Sequence, residues 1–211
     1  MDRQTIDYYD RSAAEAAAKF RGINRAEWLE QFREAFSAGG RVVDIGTGSG
    51  RDLAQLLAMG FDAYGFEPSE GMRREGEKAF PELAGRIMPL ALPIPEGAET
   101  GGPYDGVLCS AVLMHVPEGE LPHAVLSMKV LLKAKGRLLV YVMPSKPGVS
   151  ADERDENRRL FRKLAPDFVA QLFGRAGFRL LRAWEEADRL GRPGIVWNGF
   201  LFELGSDPES Q

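Results

Sequence analysis

Short apolar runs alternate with segments of helical periodicity through the first part of the chain. Arg41–Ile45 and Asp62–Phe66 are short runs rich in valine or aromatic residues, and each predicts a β-strand. Between them, Asp52–Met59 repeats leucine at helical spacing and predicts a helix. This alternation of strand and helix favours a parallel sheet covered by helices.

The same alternation continues along the chain. Ser69–Ala79 predicts a helix that is capped by Ser69, and Arg86–Leu90 predicts a third, shorter strand. Tyr104–Ser110 and Gly136–Met143 are nearly continuous apolar runs, which are typical of central strands that are buried on both faces. Glu118–Leu132 between them predicts another helix. The pattern therefore extends the α/β fold well past the first repeat.

Two helices and two closing strands are predicted for the C-terminal part of the chain. The charged segment Asp152–Lys163 is expected to form an exposed helix. Asp167–Ala176 is expected to form a second helix, ended by Gly177, with one apolar face made of Phe168, Leu172 and Phe173. Phe178–Trp184 and Ile195–Leu204 predict two strands, and their short connection fits an antiparallel pair.

The two ends of the chain carry weaker patterns. Ser12–Phe36 is rich in alanine, glutamate and aromatic residues, and it predicts helical pieces broken near Gly22 and Asn24. The polar tail Ser206–Gln211 is expected to fray. Met1–Asp10 lacks the apolar run of a secretory signal, and no stretch approaches the roughly twenty apolar residues of a spanning helix. We therefore expect no membrane association and a cytoplasmic location.

Composition narrows the function classes. A chain of 211 residues fits one domain. Its formal net charge of −4 offers no general attraction for phosphate backbones, which argues against a nucleic-acid partner. Cys109 is the only cysteine, so neither an internal disulfide nor a cysteine-rich metal site is expected, and we predict no metal. A monomer and a homodimer both remain open.

The segment with the most chemical information is the glycine-rich turn after the first predicted strand. Gly46, Gly48 and Gly50 alternate there before the next helix begins. Glycine allows a ligand to lie directly against the backbone, because it has no side chain. About twenty residues further on, Glu67 ends the second strand, where a carboxylate can accept hydrogen bonds from both ribose hydroxyls. This pattern predicts an adenosine-containing ligand.

The turn has two other interpretations. In the dinucleotide fingerprint G-x-G-x-x-G the third glycine would fall at Arg51, whereas this chain has Gly50. The pyrophosphate-binding alternative is weakened by this shift but stays open, and a purely structural tight turn also stays open. No G-x-x-x-x-G-K-S/T loop is found, so a triphosphate-binding loop of that type is not indicated.

Successive segments of the chain resemble the motifs of class I S-adenosylmethionine-dependent methyltransferases. The segments are Val42–Asp52, Tyr64–Ser69, Tyr104–Val116 and Leu131–Val140, and Phe178–Leu204 is similar to the final β-hairpin of that family. The resemblance implies a doubly wound, mostly parallel seven-stranded sheet with the order 3-2-1-4-5-7-6 and an antiparallel last strand. It further implies an N-terminal helical lid over 1–38, a cofactor-binding core over 39–145, and acceptor-side helices and a closing hairpin over 146–205.

By the same resemblance, S-adenosylmethionine is the cofactor and S-adenosylhomocysteine the product. Glu67 would hold the ribose, while Pro68 and Met72 would border the adenine. Many relatives carry an aspartate after strand three, which is absent here, so that backbone groups of Ala91 or Leu92 would replace it. The remaining cofactor contacts implied for the first loop and strand four are Asp44, Gly46, Thr47, Gly48, Gly50, Ser110 and Ala111.

Four further residues are candidates for cofactor contacts near helix starts. Arg51 and Asp52 begin the first core helix, where exposed amides and the helix dipole favour an anion such as the cofactor carboxylate. Arg51 could pair with that carboxylate, and Asp52 could either contact the cofactor or cap the helix. Tyr8 and Tyr9 precede the core as lid candidates, although packing at the helix start is the alternative for at least one of them.

His115 is the candidate general base, because it follows strand four on the edge of the sheet where ligands of open α/β folds bind. The alternative is a histidine that is merely satisfied by a local hydrogen bond. His123, within the next helix, is expected at the surface. Cys109 is interpreted as inert packing, because it lies in an apolar strand without the neighbouring proline that the resemblance would require of a nucleophile.

The leading functional hypothesis is methyl transfer to a small-molecule acceptor by in-line displacement, in which orientation dominates. The Asn/Asp-Pro-Pro-aromatic signature of enzymes that methylate amino groups of nucleic acids is absent, since Ser110 and Ala111 are followed by valine and leucine. Two alternatives are retained, namely a non-catalytic S-adenosylmethionine-binding regulator and an NAD(P)-dependent oxidoreductase.

Overall fold

A single seven-stranded sheet forms the centre of the computed structural model, which describes residues 1–22, 26–188 and 190–205. The strands within these ranges are β1 (Arg41–Ile45), β2 (Asp62–Phe66), β3 (Ile87–Met88), β4 (Tyr104–Ser110), β5 (Leu132–Val142), β6 (Phe178–Ala187) and β7 (Val196–Leu204). Their order is β3-β2-β1-β4-β5-β7-β6, and β7 runs antiparallel to both of its neighbours. The predicted fold class, strand order and antiparallel closing hairpin are confirmed.

Helices cover both faces of this sheet. The α-helices described are α1 (Arg3–Arg11), α2 (Ala13–Arg21), α3 (Ala26–Ala35), α4 (Arg51–Ala58), α5 (Glu70–Ala79), α6 (Leu121–Leu131) and α7 (Pro166–Arg175). One apolar cluster joins α6 and α7 to one face, and a second joins α3 and α4 to the other. Strand β4 and the 138–142 part of β5 are buried on both faces, as their continuous apolar pattern predicts.

Local sequence signals account for several helix ends. Ser69 accepts a hydrogen bond from the Met72 amide and caps α5, which confirms the predicted N-terminus. Gly177 follows the end of α7 with a left-handed φ of 94°, as predicted for a helix stop. Helix α2 ends at Arg21 next to Gly22, while Asn24 and the tail Ser206–Gln211 lie outside the described residues.

The sequence pattern does not predict α1 as a separate element, since the predicted helical pieces begin at Ser12. Of its nine residues only Thr5 is buried, so α1 has no apolar stripe from which it could be recognised. Polar contacts define it instead. The Asp2 carboxylate caps its N-terminus by accepting from the Thr5 amide at 2.9 Å.

The prediction of an exposed helix over Asp152–Lys163 is wrong. The segment forms turns and an isolated bridge between Arg154 and Leu160, and it contains no helix. The Asp155 side chain explains this, because its Oδ1 accepts from the amides of Asn157 and Arg159 at 3.0 Å each. A side chain that satisfies neighbouring amides in this way competes with helical hydrogen bonding. Asp155 is also only 4% exposed, so the segment is not simply solvated.

Smaller differences concern element boundaries. In place of the predicted helix Glu118–Leu132, a single 3-10 turn precedes an α-helix that begins at Leu121. The third strand is shorter than Arg86–Leu90, and β5 begins at Leu132, earlier than predicted. The predicted face of α7 is also partly wrong, because Phe168 is 42% exposed while Val169 and Phe173 are buried.

No helix in the described part of the chain is both long and apolar enough to cross a membrane.

The corrected face of α7 yields a stability prediction. Phe173 is fully buried against Phe178 and Phe202, so Phe173→Ala should lower the free energy of unfolding by about 3–5 kcal/mol. The matched control Phe168→Ala removes an exposed ring on the same helix and should cost less than about 1 kcal/mol. Urea denaturation of both variants measures the difference, and equal losses would contradict the assigned face.

Candidate functional site

The registers of three neighbouring strands bring the ends of β1, β2 and β4 to one level. Ile45, the last residue of β1, pairs with Phe66 on one side and with Cys109 on the other. The residues that follow these strand ends are therefore neighbours at the carboxyl edge of the sheet. Ligands of open α/β sheets bind at this edge, where the strand order reverses.

The three alternating glycines have left-handed backbones but face different surroundings. Their φ angles are 68° at Gly46, 57° at Gly48 and 75° at Gly50. A Cβ atom would lie 2.4 Å from Val112 at Gly46 and 2.2 Å from Leu83 at Gly50, so these two glycines are required by packing. At Gly48 the nearest atom would be the Met72 methyl at 3.4 Å. Gly48 is therefore the glycine that leaves the loop open toward the cavity beside it.

Glu67 connects this loop to the next helix. Its Oε2 accepts from the Gly48 amide at 2.9 Å, and its Oε1 accepts from the Ser69 amide at 2.8 Å. The side chain of Arg73 donates to the Glu67 carbonyl at 2.7 Å and fixes the backbone behind it. Since a carboxylate offers about four acceptor positions, both oxygens retain capacity for a further donor.

Burial raises the pKa of Glu67 to about 7, although the Ser69 and Gly48 amides and the Arg73 charge favour the ionised form. The carboxyl group is thus poised between its two protonation states near neutral pH. A ligand that donates hydrogen bonds to the carboxylate would shift the group toward ionisation.

A cavity lies over the loop and receives most of the predicted site residues. The predicted residues that line it are Asp44, Gly46, Thr47, Gly48, Arg51, Asp52, Glu67, Pro68, Met72, Tyr9, Ser110, Ala111 and His115. The predicted residues outside its lining are Tyr8, Gly50, Ala91 and Leu92. The Leu92 carbonyl accepts from the Met1 ammonium group, and Leu83 fills the space beside Gly50. Contact of the Ala91 or Leu92 backbone with the adenine stays a prediction.

Arg51 and Asp52 are engaged with each other within the described structure. Arg51 binds both oxygens of Asp52, at 3.0 and 3.1 Å, and donates to the Phe20 carbonyl at 2.6 Å. Its guanidinium therefore ties the end of α2 to the start of α4. Gly50, which has no side chain, occupies the N-cap position of α4, and Asp52 lies in its first turn. Contact of either side chain with a ligand remains a prediction.

Helix α1 lies beside the cavity and is attached at both ends. At its start, Asp2 forms an ion pair with Arg154 at 2.8 Å. At its end, the Asp10 carboxylate accepts from the Ser69 hydroxyl at 3.0 Å and from the Gly71 amide at 2.7 Å. A negative charge at the N-terminus of α5 is favourable for the helix dipole. These contacts fit the predicted lid position of α1.

The two predicted lid tyrosines differ in their surroundings. Tyr9 lines the cavity, and its hydroxyl accepts from Arg159 at 3.0 Å. Tyr8 contacts Tyr9 edge to face and packs under the same guanidinium, 4.6 Å from its ring centroid. Arg159 is held in turn by Asp155, at 2.6 Å. Tyr9 therefore lies at the cavity, whereas Tyr8 packs beside it. Contact of either tyrosine with a ligand stays a prediction.

His115 is 5% exposed and lines the cavity. Its Nδ1 lies 2.5 Å from the Leu160 carbonyl, and a carbonyl can only accept, so Nδ1 carries the proton. The other ring nitrogen, Nε2, is therefore an acceptor. Burial lowers the pKa of His115 to about 4, which keeps the imidazole neutral. The site thus contains a neutral base with a fixed tautomer.

The end of β4 contains a strained residue and an inert one. Ala111 has a φ of 61°, and its amide donates to the Tyr141 carbonyl at 2.9 Å. Non-glycine residues in this conformation are concentrated at functional sites. Cys109 is fully buried, and burial raises the pKa of its thiol strongly, which agrees with the inert interpretation.

One wall of the cavity was missed by the sequence analysis. It consists of residues near the β6–β7 connection and of two aromatic residues of the N-terminal helices: Glu186, Ala187, Asp188, Leu190, Arg192, Trp197, Phe20 and Trp28. Asp188 organises the connection by binding Arg192 at 2.5 Å and the Trp197 indole at 2.9 Å. Burial raises the pKa of Asp188, but these hydrogen bonds outweigh it and hold the pKa well below its usual range. No motif marks such residues in a single sequence.

Two polar residues lie at the floor of the cavity. Asp44 is 3% exposed at the end of β1. The Thr47 hydroxyl oxygen is buried and has no hydrogen-bond partner in the structure, which is costly unless a ligand supplies one. Within the ranges that the structure describes, no group of three or more His, Cys, Asp or Glu side chains is arranged to hold a metal ion.

Comparison with known proteins assigns this architecture to a family. A family model described as a methyltransferase domain matches residues 11–183. The chain is 28% identical over 178 residues to an uncharacterised methyltransferase of Geobacillus sp. (strain WCH70). This alignment covers 81% of this chain and 76% of that protein. It is 35% identical over 82 residues to the protein-L-isoaspartate O-methyltransferase of Chlorobium phaeobacteroides, but this match covers only 39% of this chain and 38% of that relative.

A solved structure shares the fold. It is the 1,6-didemethyltoxoflavin-N1-methyltransferase of Burkholderia thailandensis, with 1,6-didemethyltoxoflavin and S-adenosylhomocysteine bound. The TM-score is 0.65 at 17% sequence identity, and the alignment covers 92% of this chain and 90% of that chain. At this level of identity the likeness extends to the fold alone.

The packing role of Gly50 predicts a larger loss of stability there than at a glycine with open surroundings. Gly50→Ala should lower the free energy of unfolding by about 2–5 kcal/mol, because left-handed strain and overlap with Leu83 both act there. Gly60→Ala is the matched control, since its φ is 88° but no atom lies within 4 Å, and strain alone should cost about 1–2 kcal/mol. Urea denaturation compares the two, and a smaller loss at Gly50 would contradict the packing role.

Proposed function

We propose that this chain, which belongs to the class I S-adenosylmethionine-dependent methyltransferases, methylates a small, uncharged and lipophilic acceptor. The observation that carries the binding of the methyl donor is the Glu67 carboxylate, which is held between the Gly48 and Ser69 amides beside the glycine loop. This arrangement provides a ribose-binding carboxylate beside a backbone that a ligand can approach closely.

The residues present fit the cofactor. Glu67 would accept from the ribose hydroxyls, and the unpartnered Thr47 hydroxyl would gain a polar partner. Pro68 and Met72 would border the adenine, and Met72 also lies against Gly48. Asp44 and the open backbone at Gly48 would frame the methionine part. These individual assignments are proposals, and the structure is compatible with each of them.

The chemistry of the cavity wall supports an uncharged acceptor. Its cations Arg51 and Arg192 are each bound to a carboxylate, of Asp52 and Asp188 respectively. The charge of each cation is therefore already compensated, so an anionic acceptor would gain little attraction from this wall. The acceptor would instead contact the apolar side chains Ile6, Phe20, Trp28, Val112, Leu190 and Trp197.

A sulfonium methyl group is already activated for displacement, so the protein mainly has to orient the acceptor and exclude water. Tyr9 and His115 lie at the cavity wall where the acceptor would be held. His115 would accept a proton at Nε2 from an acceptor O–H or N–H group, because its Nδ1–H is committed to the Leu160 carbonyl. We therefore favour an acceptor with such a group over a thiolate.

The cytoplasmic location and the choice between monomer and homodimer stay predictions. The prediction that nucleic acid is not a partner also stays a prediction. It is compatible with the proposed small acceptor.

Cofactor binding tests the role of Glu67. Since the pKa of Glu67 is raised to about 7, affinity for S-adenosylhomocysteine should increase as pH rises from 6 toward 8, because binding favours the ionised carboxylate and releases its proton. Glu67→Gln should weaken binding roughly 10- to 100-fold and flatten this pH dependence. Isothermal titration calorimetry measures both effects.

The control for this experiment is Glu70→Gln, which removes an exposed carboxylate at the start of α5. It should leave both the affinity and its pH dependence close to those of the wild type. If Glu67→Gln behaved like this control, the ribose assignment would be wrong.

Turnover tests the proposed acceptor class and the base. We expect formation of S-adenosylhomocysteine with lipophilic phenols or N-heterocycles and none with anionic analogues of the same size. His115→Gln should lower kcat roughly 100-fold or more without changing cofactor affinity, whereas His123→Gln, at an exposed position, should change neither. Since the pKa of His115 is about 4, its protonation should cause no loss of rate between pH 6 and 8.

A protein that binds the cofactor but turns over none of these acceptors would support the non-catalytic alternative. Turnover that is confined to anionic acceptors would contradict the proposed acceptor class, and an unaffected kcat in His115→Gln would exclude His115 as the base.

A further inference from the structure

We propose that Thr5 is a positioning residue for His115, and that it acts through the backbone of Leu160 so that the imidazole is aligned only while α1 covers the cavity. The inference rests on the proposed role of His115 as the base. It assigns a function in catalysis to a residue of the lid helix that does not touch the imidazole through any hydrogen bond of its own.

A single residue joins the two groups. The Leu160 amide donates to the Thr5 hydroxyl at 2.9 Å, and the Leu160 carbonyl accepts from His115 Nδ1 at 2.5 Å. Leu160 is 7% exposed and Thr5 is 1% exposed. Both hydrogen bonds are therefore buried, and a buried amide that lost its partner would carry the full cost of desolvation.

The Thr5 hydroxyl acts both as donor and as acceptor in this arrangement. It donates to Asp2 Oδ2 at 2.8 Å while it accepts from Leu160. Asp2 is fixed in turn by the Arg154 guanidinium, and its own amide donates to the His115 carbonyl at 2.9 Å. The start of α1 thus contacts the histidine twice, once directly through backbone and once through Leu160.

The segment that carries Leu160 is held on its other side as well. The bridge between Arg154 and Leu160 closes a tight loop, and the buried Asp155 fills this loop with hydrogen bonds to its amides. The amide of Arg162 donates to the Met114 carbonyl at 3.0 Å. These contacts fix the loop near its ends, and between them the Leu160 amide is held by the Thr5 hydroxyl.

This geometry couples the position of α1 over the cavity to the tautomer of His115. Thr5, Ile6 and Tyr9 of α1 all line the cavity, so a displacement of α1 that admits an acceptor breaks the Thr5–Leu160 bond. The Leu160 carbonyl is then released, and the Nδ1–H tautomer of His115 loses the partner that selects it. The base is consequently aligned after the lid returns.

The chain has two histidines, which makes a spectroscopic test direct. In a His123→Gln background only the His115 imidazole remains, and its ¹⁵N resonances report the tautomer. The wild-type Thr5 form should show the Nδ1–H tautomer alone. Thr5→Val keeps the shape but removes the hydroxyl, and it should give averaged or mixed tautomers together with roughly tenfold faster hydrogen exchange at the Leu160 amide.

Three controls separate positioning from general loosening. Thr5→Ser keeps the hydroxyl and should restore the Nδ1–H tautomer. Gly60→Ala loosens the molecule by backbone strain at the end of α4 and leaves the Thr5–Leu160–His115 contacts in place, so it should retain that tautomer. Exchange at the Arg162 amide should be the same in all variants. If Thr5→Val does not fold, Thr5→Ala provides the same readout.

An unchanged tautomer despite faster exchange at Leu160 would overturn the proposal, as would slow exchange at Leu160 in Thr5→Val. The same samples are titrated with S-adenosylhomocysteine. If Thr5→Val binds S-adenosylhomocysteine and keeps the Nδ1–H tautomer, only the positioning role of Thr5 is refuted. If the form with wild-type Thr5 does not bind S-adenosylhomocysteine, the proposed function itself is refuted.

Discussion

The Glu67 carboxylate is the interaction on which the site depends. It accepts from the glycine loop after β1 and from the N-cap residue of α5, so it holds two separate parts of the sheet edge at a fixed separation. The cost of its burial is offset only in part by these two amides, which explains its raised pKa. A site that is preorganised around an incompletely satisfied acceptor favours ligands that donate hydrogen bonds at that position.

Much of the fold could be predicted because its signals are local. β1, β2 and β4 have the predicted bounds, since each is a short apolar run between residues that stop a strand. Helix α1 was missed because it buries only Thr5 and is stabilised by contacts with residues about 60 and 150 positions away. The segment 152–163 was assigned the wrong structure because its composition resembles a solvated helix, whereas its fold is decided by the burial of Asp155.

The candidate site shows the same division between local and long-range information. The glycine loop and Glu67 follow a spacing that can be seen in the sequence, and the structure places them together at the cavity. The partners of Arg51 could not be foreseen, because one of them is the Phe20 carbonyl at the end of another helix. The β6–β7 wall could not be foreseen either, since it carries no motif and reaches the cavity only through the antiparallel closure of the sheet.

The β6–β7 connection is organised around one carboxylate. Asp188 accepts from the backbone and side chain of Arg192, from the Leu190 amide and from the Trp197 indole, so these hydrogen bonds close the turn upon itself. A wall built in this way can change its shape without disturbing the part of the molecule that receives the methyl donor. Under the proposed function, a change at this hairpin tip would alter the acceptor selectivity of the chain and leave the donor-binding side of the cavity in place.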